Sequence, residues 1–234
     1  MLFRSVGVEY EDSEGAVRRA QAGREILLCA GALNSPKLLM LSGLGAADEL
    51  RALGLRVHQD LPGVGRNLQD HVRVPVLFEG GRRSPGDMLY WLPAAVQYAA
   101  AGRGVLASNC CEAGAVLRST PEAALPDLQF VTHFQSHLYP GVVDLQFCVS
   151  RTASRGAVTL ASADPKAPPV INPNYFSDRA DVEVALAGVR LARRIASAPA
   201  LRRFRLGAEV LPGRDLTADA ELESYSRAMA ETCY

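Results

Sequence analysis

Gly31-Ala32-Leu33-Asn34-Ser35-Pro36-Lys37-Leu38-Leu39-Met40-Leu41-Ser42-Gly43-Leu44-Gly45 follows directly on the apolar run Glu25-Ile26-Leu27-Leu28-Cys29-Ala30. A short apolar run entered from a charged turn predicts a central strand buried on both faces, as in a parallel sheet. Gly31-Ala32 is expected to break that strand. Ser35 is read as the N-cap of a helix and Pro36 as its first residue. Leu38, Leu39 and Leu41 then form the buried side, and Ser42-Gly43 ends the helix. A strand–turn–helix of this kind lets a ligand approach the backbone. Gly31 and Ala32 carry no obstructing bulk, and a helix N-terminus favours a negative group such as a pyrophosphate. The same residues also suit an ordinary tight turn between strand and helix.

Upstream, Val6-Gly7-Val8-Glu9-Tyr10 alternates with period two, Asp12-Ser13-Glu14-Gly15 has turn chemistry, and Ala16 to Ala20 reads as the returning strand of a hairpin. Downstream, a helix is predicted over 47–53, stopped by Gly54, followed by a strand at 55–58 and a loop at 61–67. Alternation resumes from Val72 to Phe78. After a Gly-rich segment at 80–86, the pattern predicts a helix over 87–101 and strands at 113–118, 128–134, 142–149 and 157–160. Their Gly, Pro, Ser and Asp separators point to an antiparallel sheet. Ser177 or Asp178 caps a predicted helix over 180–198, with Val182, Leu186 and Val189 on its buried face. Asp181 and Glu183 sit near its positive end, and Arg190, Arg193 and Arg194 near its negative end, as the helix dipole prefers. A last helix, with Leu222, Tyr225 and Met229 on one side, begins near Thr217. The expected fold class is mixed α+β and α/β. A partial Rossmann-like domain (1–78) precedes a domain with an antiparallel sheet and flanking helices (79–212), and a terminal helix occupies 213–234.

The 234 residues carry 25 Lys plus Arg against 25 Asp plus Glu, so the formal net charge is zero and nothing draws the chain toward nucleic acid or an acidic membrane. No apolar run reaches the ~20 residues of a membrane span. The five cysteines, Cys29, Cys110, Cys111, Cys148 and Cys233, are odd in number and form no CxxC pair. They read as reduced thiols of a cytoplasmic protein, and their spacing builds no metal site. The chain begins within an alternating pattern and stops straight after a helical one, so both ends read as interrupted.

The run Gly31–Gly45 resembles the second signature of the glucose-methanol-choline (GMC) flavoprotein oxidoreductases. Val6–Tyr10 is similar to the strand before that signature, and Asp60-Leu61-Pro62-Gly63-Val64-Gly65-Arg66-Asn67-Leu68-Gln69-Asp70-His71 to the loop after it. Ser154–Leu160, Asp164-Pro165, Ile171-Asn172-Pro173-Asn174-Tyr175 and Ala230–Tyr234 resemble the family's C-terminal domain. The likeness covers essentially the whole chain in the family's order, with a leaning to choline- and alcohol-dehydrogenase-like members.

The resemblance implies FAD as cofactor, a small-molecule alcohol as substrate and hydride transfer from the alcohol carbon to flavin N5. It assigns Ala30, Gly31, Ala32 and Ser35 to an FAD-facing turn. It assigns Asn67, Leu68, Gln69, Asp70 and His71 to a loop beside the cofactor, although His71 equally suits a loop histidine that fixes backbone. It offers Asn109, Glu112 and His133 as pocket residues, alongside the plainer reading of exposed groups. Two departures stand out. The GxGxxG fingerprint has no counterpart, since Gly43-Leu44-Gly45 and Gly63-Val64-Gly65 each lack the third glycine and the right strand–helix setting. The family's catalytic histidine would follow Tyr234, so no catalytic residue is assigned. The chain is therefore expected to be a fragment with an incomplete FAD site, inactive alone. The alternatives are a standalone ligand- or partner-binding domain and one half of a split flavoenzyme.

Overall fold

The computed structural model describes residues 4–80, 88–107, 111, 113–133, 142–204 and 206–233. In chain order the elements are β1 (Gly7–Glu11), β2 (Val17–Gln21), α1 (Gly31–Leu41), β3 (Leu44–Gly45), α2 (Ala47–Ala52), β4 (Gln59–Asp60) and β5 (Arg66–Leu68). There follow β6 (Val72–Val74), β7 (Leu77–Glu79), α3 (Met88–Ala101), β8 (Ala113–Leu117), β9 (Leu128–His133) and β10 (Val142–Val149). The chain closes with β11 (Gly156–Thr159), β12 (Val170–Asn172), α4 (Arg179–Ala196), β13 (Glu209–Leu211), α5 (Asp219–Ala228) and β14 (Glu231–Thr232). It divides into two compact units. Unit 1 comprises Met1–Leu68 with Gly156–Asn172, and unit 2 comprises Gln69–Arg155 with Pro173–Tyr234. The units therefore part after Leu68 rather than at the predicted 78/79 boundary, and 156–172 belongs with the N-terminal stretch.

Unit 1 is built from small pieces. The β1–β2 hairpin forms in the predicted place, in register Gly7↔Gln21 to Glu11↔Val17. Its turn is held by Asp12, whose carboxylate accepts from the amides of Glu14 and Ala16 at 3.0 and 2.9 Å and from Arg18 Nε at 2.8 Å. The Arg18 guanidinium, helped by those amides, holds the Asp12 carboxyl below its ordinary range. The predicted strand at Glu25–Ala30 does not form. A strand buried on both faces needs a ladder partner for its amides and carbonyls, and among the described residues none pairs with this run. Leu27 is left 77% exposed.

Helix α1 also begins earlier than predicted, at Gly31 (φ +79°), and Pro36 lies inside it. Ser35 is not the N-cap. Its hydroxyl reaches back to accept from the Ala30 amide at 3.1 Å, so the turn into the helix falls at Ala30-Gly31. The buried side is Met40 rather than Leu38, which is exposed. Met40 packs with Gly45 and Leu50, where a Cβ on Gly45 would lie 3.0 Å from Met40 Cγ. Helix α2 ends as predicted at Gly54, whose amide donates to Arg51 O while Leu55 N donates to Leu50 O, the Schellman pattern. At its other end the Ala47 amide donates to Asp60 Oδ1 at 3.0 Å. The strand expected at 55–58 lies at Gln59–Asp60, parallel to β3. β5, β11 and β12 form an antiparallel sheet in the order β12-β11-β5. Gly65 is required at its edge: φ is +76°, and a Cβ would sit 2.1 Å from Val158 O.

Unit 2 carries the main core, and its seven-stranded sheet is antiparallel, as predicted for 113–118, 128–134 and 142–149, whereas the strand predicted at 157–160 forms β11 in the sheet of unit 1. β10 lies at its centre. One edge pairs with β9 over Asp144↔His133 to Val149↔Leu128, and the other pairs with β7 and then β6. β8 extends the sheet beyond β9, β13 pairs with β7, and β14 pairs with β6. Alternation divides the faces. Val143, Leu145, Phe147 and Val149 join Val72, Val74, Leu128 and Phe130 against Val182, Ala185, Leu186, Val189 and Ala192 of α4. Helix and sheet meet closely at Gly188, where a Cβ would fall 2.4 Å from the Phe147 ring. The arginines at the end of α4 do more than answer its dipole. Arg193 forks onto buried Glu209 of β13 at 2.8 and 3.0 Å and also donates to the carbonyls of Gly213 and Leu216, while Arg190 pairs with Asp219 of α5.

Candidate functional site

In unit 2 the loop Gln69-Asp70-His71 leads into β6 and lines a cavity of about 580 Å³ together with Ser150, Arg151, Thr152, Ala153 and Arg155. Asp70 and the His71 backbone are held in place. The Asp70 carboxylate accepts from the Tyr175 hydroxyl, and the Asp70 carbonyl accepts from Thr152 Oγ1 at 3.5 Å. Burial, and then the bond to Asp70, push the Tyr175 hydroxyl above its ordinary range, so it stays a donor. The His71 carbonyl accepts from the Cys233 amide at 3.1 Å, which ties the loop to the end of β14.

The opposite wall, 150–155, is pinned by the start of α4. Buried Asp181 accepts from the amides of Ala153 and Ser154 at 2.6 and 2.8 Å, and Ser154 Oγ accepts from the Asp178 amide at 3.0 Å. Asp178 in turn caps α4 by accepting from the Ala180 amide. Arg155 folds back to donate to the carbonyls of Thr152 and Ser154 at 2.7 and 2.9 Å. Asn174, at φ +56°, donates from Nδ2 to Arg155 O at 3.0 Å. These bonds give a physical role to Ser154, Arg155, Asn174 and Tyr175: they hold the cavity walls.

The sheet face turned away from α4 is polar. Arg73 of β6 donates to the Gln146 side chain and pairs with Glu231 of β14. Asp144 is 4% exposed, and among the described residues its Oδ1 has no hydrogen-bond partner. Burial raises its carboxyl to about 6, against the lowering influence of Arg73. Among the described residues no cluster of His, Cys, Asp or Glu could hold a metal ion, and no helix is long and apolar enough to cross a membrane.

The residues predicted from sequence fall into separate groups. Ala30, Gly31, Ala32 and Ser35 lie at the start of α1 in unit 1, with open space around a Cβ built on Gly31. Asn67 (φ +60°) and Leu68 lie on β5 of unit 1. Gln69, Asp70 and His71 share the cavity of unit 2. His133 closes β9 opposite Asp144, with its side chain outside the described residues, and Asn109 and Glu112 lie wholly outside them. The sequence reading did not single out Arg151, Thr152 or Asp144, and it took Asp181 for a dipole partner. A carboxylate at the third position after a cap such as Asp178 is the one local signal that could have flagged Asp181. Asp144 is placed by sheet pairing, and Arg151 and Thr152 lie in the loop just beyond β10.

Comparison with known proteins agrees with the resemblance. Residues 3–73 match the N-terminal family model described as GMC oxidoreductase, and residues 152–234 match the C-terminal one. The chain is 36% identical to an alcohol dehydrogenase [acceptor] of Pseudomonas putida and 38% identical to an oxygen-dependent choline dehydrogenase of Rhizobium johnstonii. In each case 99% of this chain and 44% of the relative are covered. It thus spans less than half the length of these relatives. An FAD-dependent oxidoreductase from Chaetomium thermophilum superimposes with a TM-score of 0.84 at 23% identity, over 99% of this chain and 48% of the other, which shows the shared fold. A pyridoxine 4-oxidase gives 0.81 at 25% identity, over 98% and 43%. The two family matches follow one another in chain order, and the chain belongs to the GMC oxidoreductase family.

Proposed function

We propose that this chain is part of an FAD-dependent oxidoreductase acting on the CH–OH group of primary alcohols. The observation that carries the proposal is the cavity of about 580 Å³ behind Gln69-Asp70-His71, in a chain whose relatives include alcohol and choline dehydrogenases. Its size is within the range of cofactor pockets, roughly 300–1,000 Å³. The donor set fits a polar cofactor edge, since Gln69, Ser150, Arg151 and Thr152 all line it. When bound, the flavin supplies a two-electron acceptor for the hydride of the alcohol carbon.

This chain's residues bind and orient. Tyr175 and Thr152 hold the Asp70 turn, which sets Gln69 and His71 along the cavity wall. Asp181 holds the facing turn from beneath. In unit 1, Ala30, Gly31, Ala32 and Ser35 at the start of α1, together with Asn67 and Leu68 of β5, are the remaining cofactor-facing groups on this reading. The 234 residues contain no GxGxxG, so we infer that the FAD site is incomplete and the chain inactive alone. We assign the chain to the cytoplasm on the number and spacing of its cysteines. The exposed apolar run around Leu27 favours a second reading, in which a separate polypeptide completes the enzyme.

The test is to purify the chain, add FAD, and measure flavin retention and dye-linked oxidation of short primary alcohols and choline. The same assays are then run with a polypeptide bearing the GxGxxG unit, joined in cis or added in trans. A colourless, inactive chain that becomes yellow and active on completion is the expected result, and activity in trans supports the split enzyme. A chain that alone retains stoichiometric FAD and turns over alcohols overturns the incomplete-site proposal. A completed protein that holds FAD but oxidises no alcohol overturns the substrate class.

A further inference from the structure

We infer that Cys148 and Cys233 form a dithiol site that hydrogen peroxide oxidises to a disulfide, stapling the end of β14 to the central strand β10. Two observations place the pair. The two Sγ atoms lie 2.8 Å apart across 85 residues of sequence, close enough that a small side-chain rotation reaches the ~2.05 Å of a bond. Strand register puts Cys148, Arg73 and Glu231 on one face, with β6 between β10 and β14, and the chain just past β14 brings Cys233 to Cys148. Cys148 is opposite Arg73, Arg73 is opposite Glu231, and Cys233 lies two residues beyond Glu231. That is the polar face of the sheet, away from α4. Cys233 follows the last residue of β14, and the Cys233-to-His71 backbone bond fixes its position. The inference does not depend on the flavin reading.

The two thiols differ in the way a stepwise oxidation requires. Cys233 is half-buried and open to a small oxidant, whereas Cys148 is fully buried. Burial, and then the contact with Cys233, push the Cys148 thiol far above its ordinary range. It is therefore the less reactive of the two toward peroxide and acts second, giving up its proton as it attacks. In the first step the Cys233 sulfur attacks one peroxide oxygen. An S–O bond forms, the O–O bond breaks, and the departing hydroxide takes the thiol proton and leaves as water. In the second step the Cys148 sulfur attacks the resulting sulfenic sulfur. The S–S bond forms, the S–O bond breaks, and hydroxide leaves with the Cys148 proton as a second water. Two thiols lose two electrons, and one peroxide becomes two waters.

The test treats the purified protein with stoichiometric hydrogen peroxide, alkylates under denaturing conditions and maps peptides without reductant. The expected result is a Cys148–Cys233 linked peptide that dithiothreitol removes, with the two cysteines lost from alkylation in equal measure. Exposed Cys29 and Cys111 report the background reactivity of surface thiols. Oxidation of Cys233 to sulfinic acid with Cys148 still alkylatable overturns the inference, as does full alkylation of both under conditions that oxidise Cys29. In the Cys233→Ser variant, Cys148 should stay alkylatable throughout. Its loss at the wild-type rate in that variant also overturns the pairing.

Discussion

In β10 seven of eight residues are buried, whereas the equally apolar run Glu25–Ala30 forms no strand and leaves Leu27 77% exposed. Both segments predict a strand, Glu25–Ala30 a central one and 142–149 one of an antiparallel sheet. They differ in what the rest of the chain provides. β10 has β9 along one edge and β6 with β7 along the other, and α4 closes over one face. Among the described residues Glu25–Ala30 has no ladder partner. An apolar sequence specifies burial only when other segments of the same unit satisfy its backbone and cover its side chains. Unit 2 therefore behaves as a self-sufficient core, and unit 1 as a set of local motifs around Met40, Leu50 and Gly45.

The largest expected effect breaks the stronger side of this contrast. Phe147 is fully buried against Gly188 and 5.7 Å, centroid to centroid, from Phe130. Phe147→Ala should cost about 4 kcal/mol by denaturant unfolding of unit 2. A loss under 1 kcal/mol would mean that the core is loosely packed.

A smaller effect sharpens the contrast from within unit 2. Asp144 is the buried acid of the polar sheet face, with its carboxyl raised from 3.8 to about 6. The folded state binds more protons than the unfolded state between those values, so stability falls as pH rises from about 4 to about 6. The shift corresponds to a cost of about 3 kcal/mol at neutral pH. Because Asp144→Asn also removes a partner charge from Arg73, the net gain expected at pH 7 is about 2 kcal/mol, with the slope between pH 4 and 6 flattened. Thermal melts across that range check both. An unchanged slope would show that another group is responsible.

The smallest effect tests the weaker side. Leu27→Ser removes an exposed apolar side chain and should change stability by less than about 0.5 kcal/mol while raising solubility. A loss of 2 kcal/mol or more would show that Leu27 is buried in solution.

Much of this was legible in the sequence where the signal is local. Asp12 and Gly15 specify the hairpin turn, Gly54 the end of α2, Asp178 the start of α4, and alternation the strands of unit 2. Ser35 was misplaced because a hydroxyl near a helix start can cap forward or reach back, and only the completed turn at Ala30-Gly31 chose between them. The site was legible as motifs without their physical roles. Nothing local says that Tyr175 holds Asp70, or that Asp181 takes two amides of the 150–155 wall, because these partners meet only after β10 and α4 have packed.

The stretch from Gly31 to Gly45 shows the same division. By itself the sequence determined the family, the presence of a helix after Ala30 and the antiparallel character of the later sheet, since each rests on neighbouring residues or short periods. Tertiary structure alone decided that Glu25–Ala30 would not be a strand, that Met40 would be the buried face of α1, and that Cys148 would meet Cys233. Burial and strand pairing belong to the partners a segment finds, and a segment's own residues do not specify which partners those are.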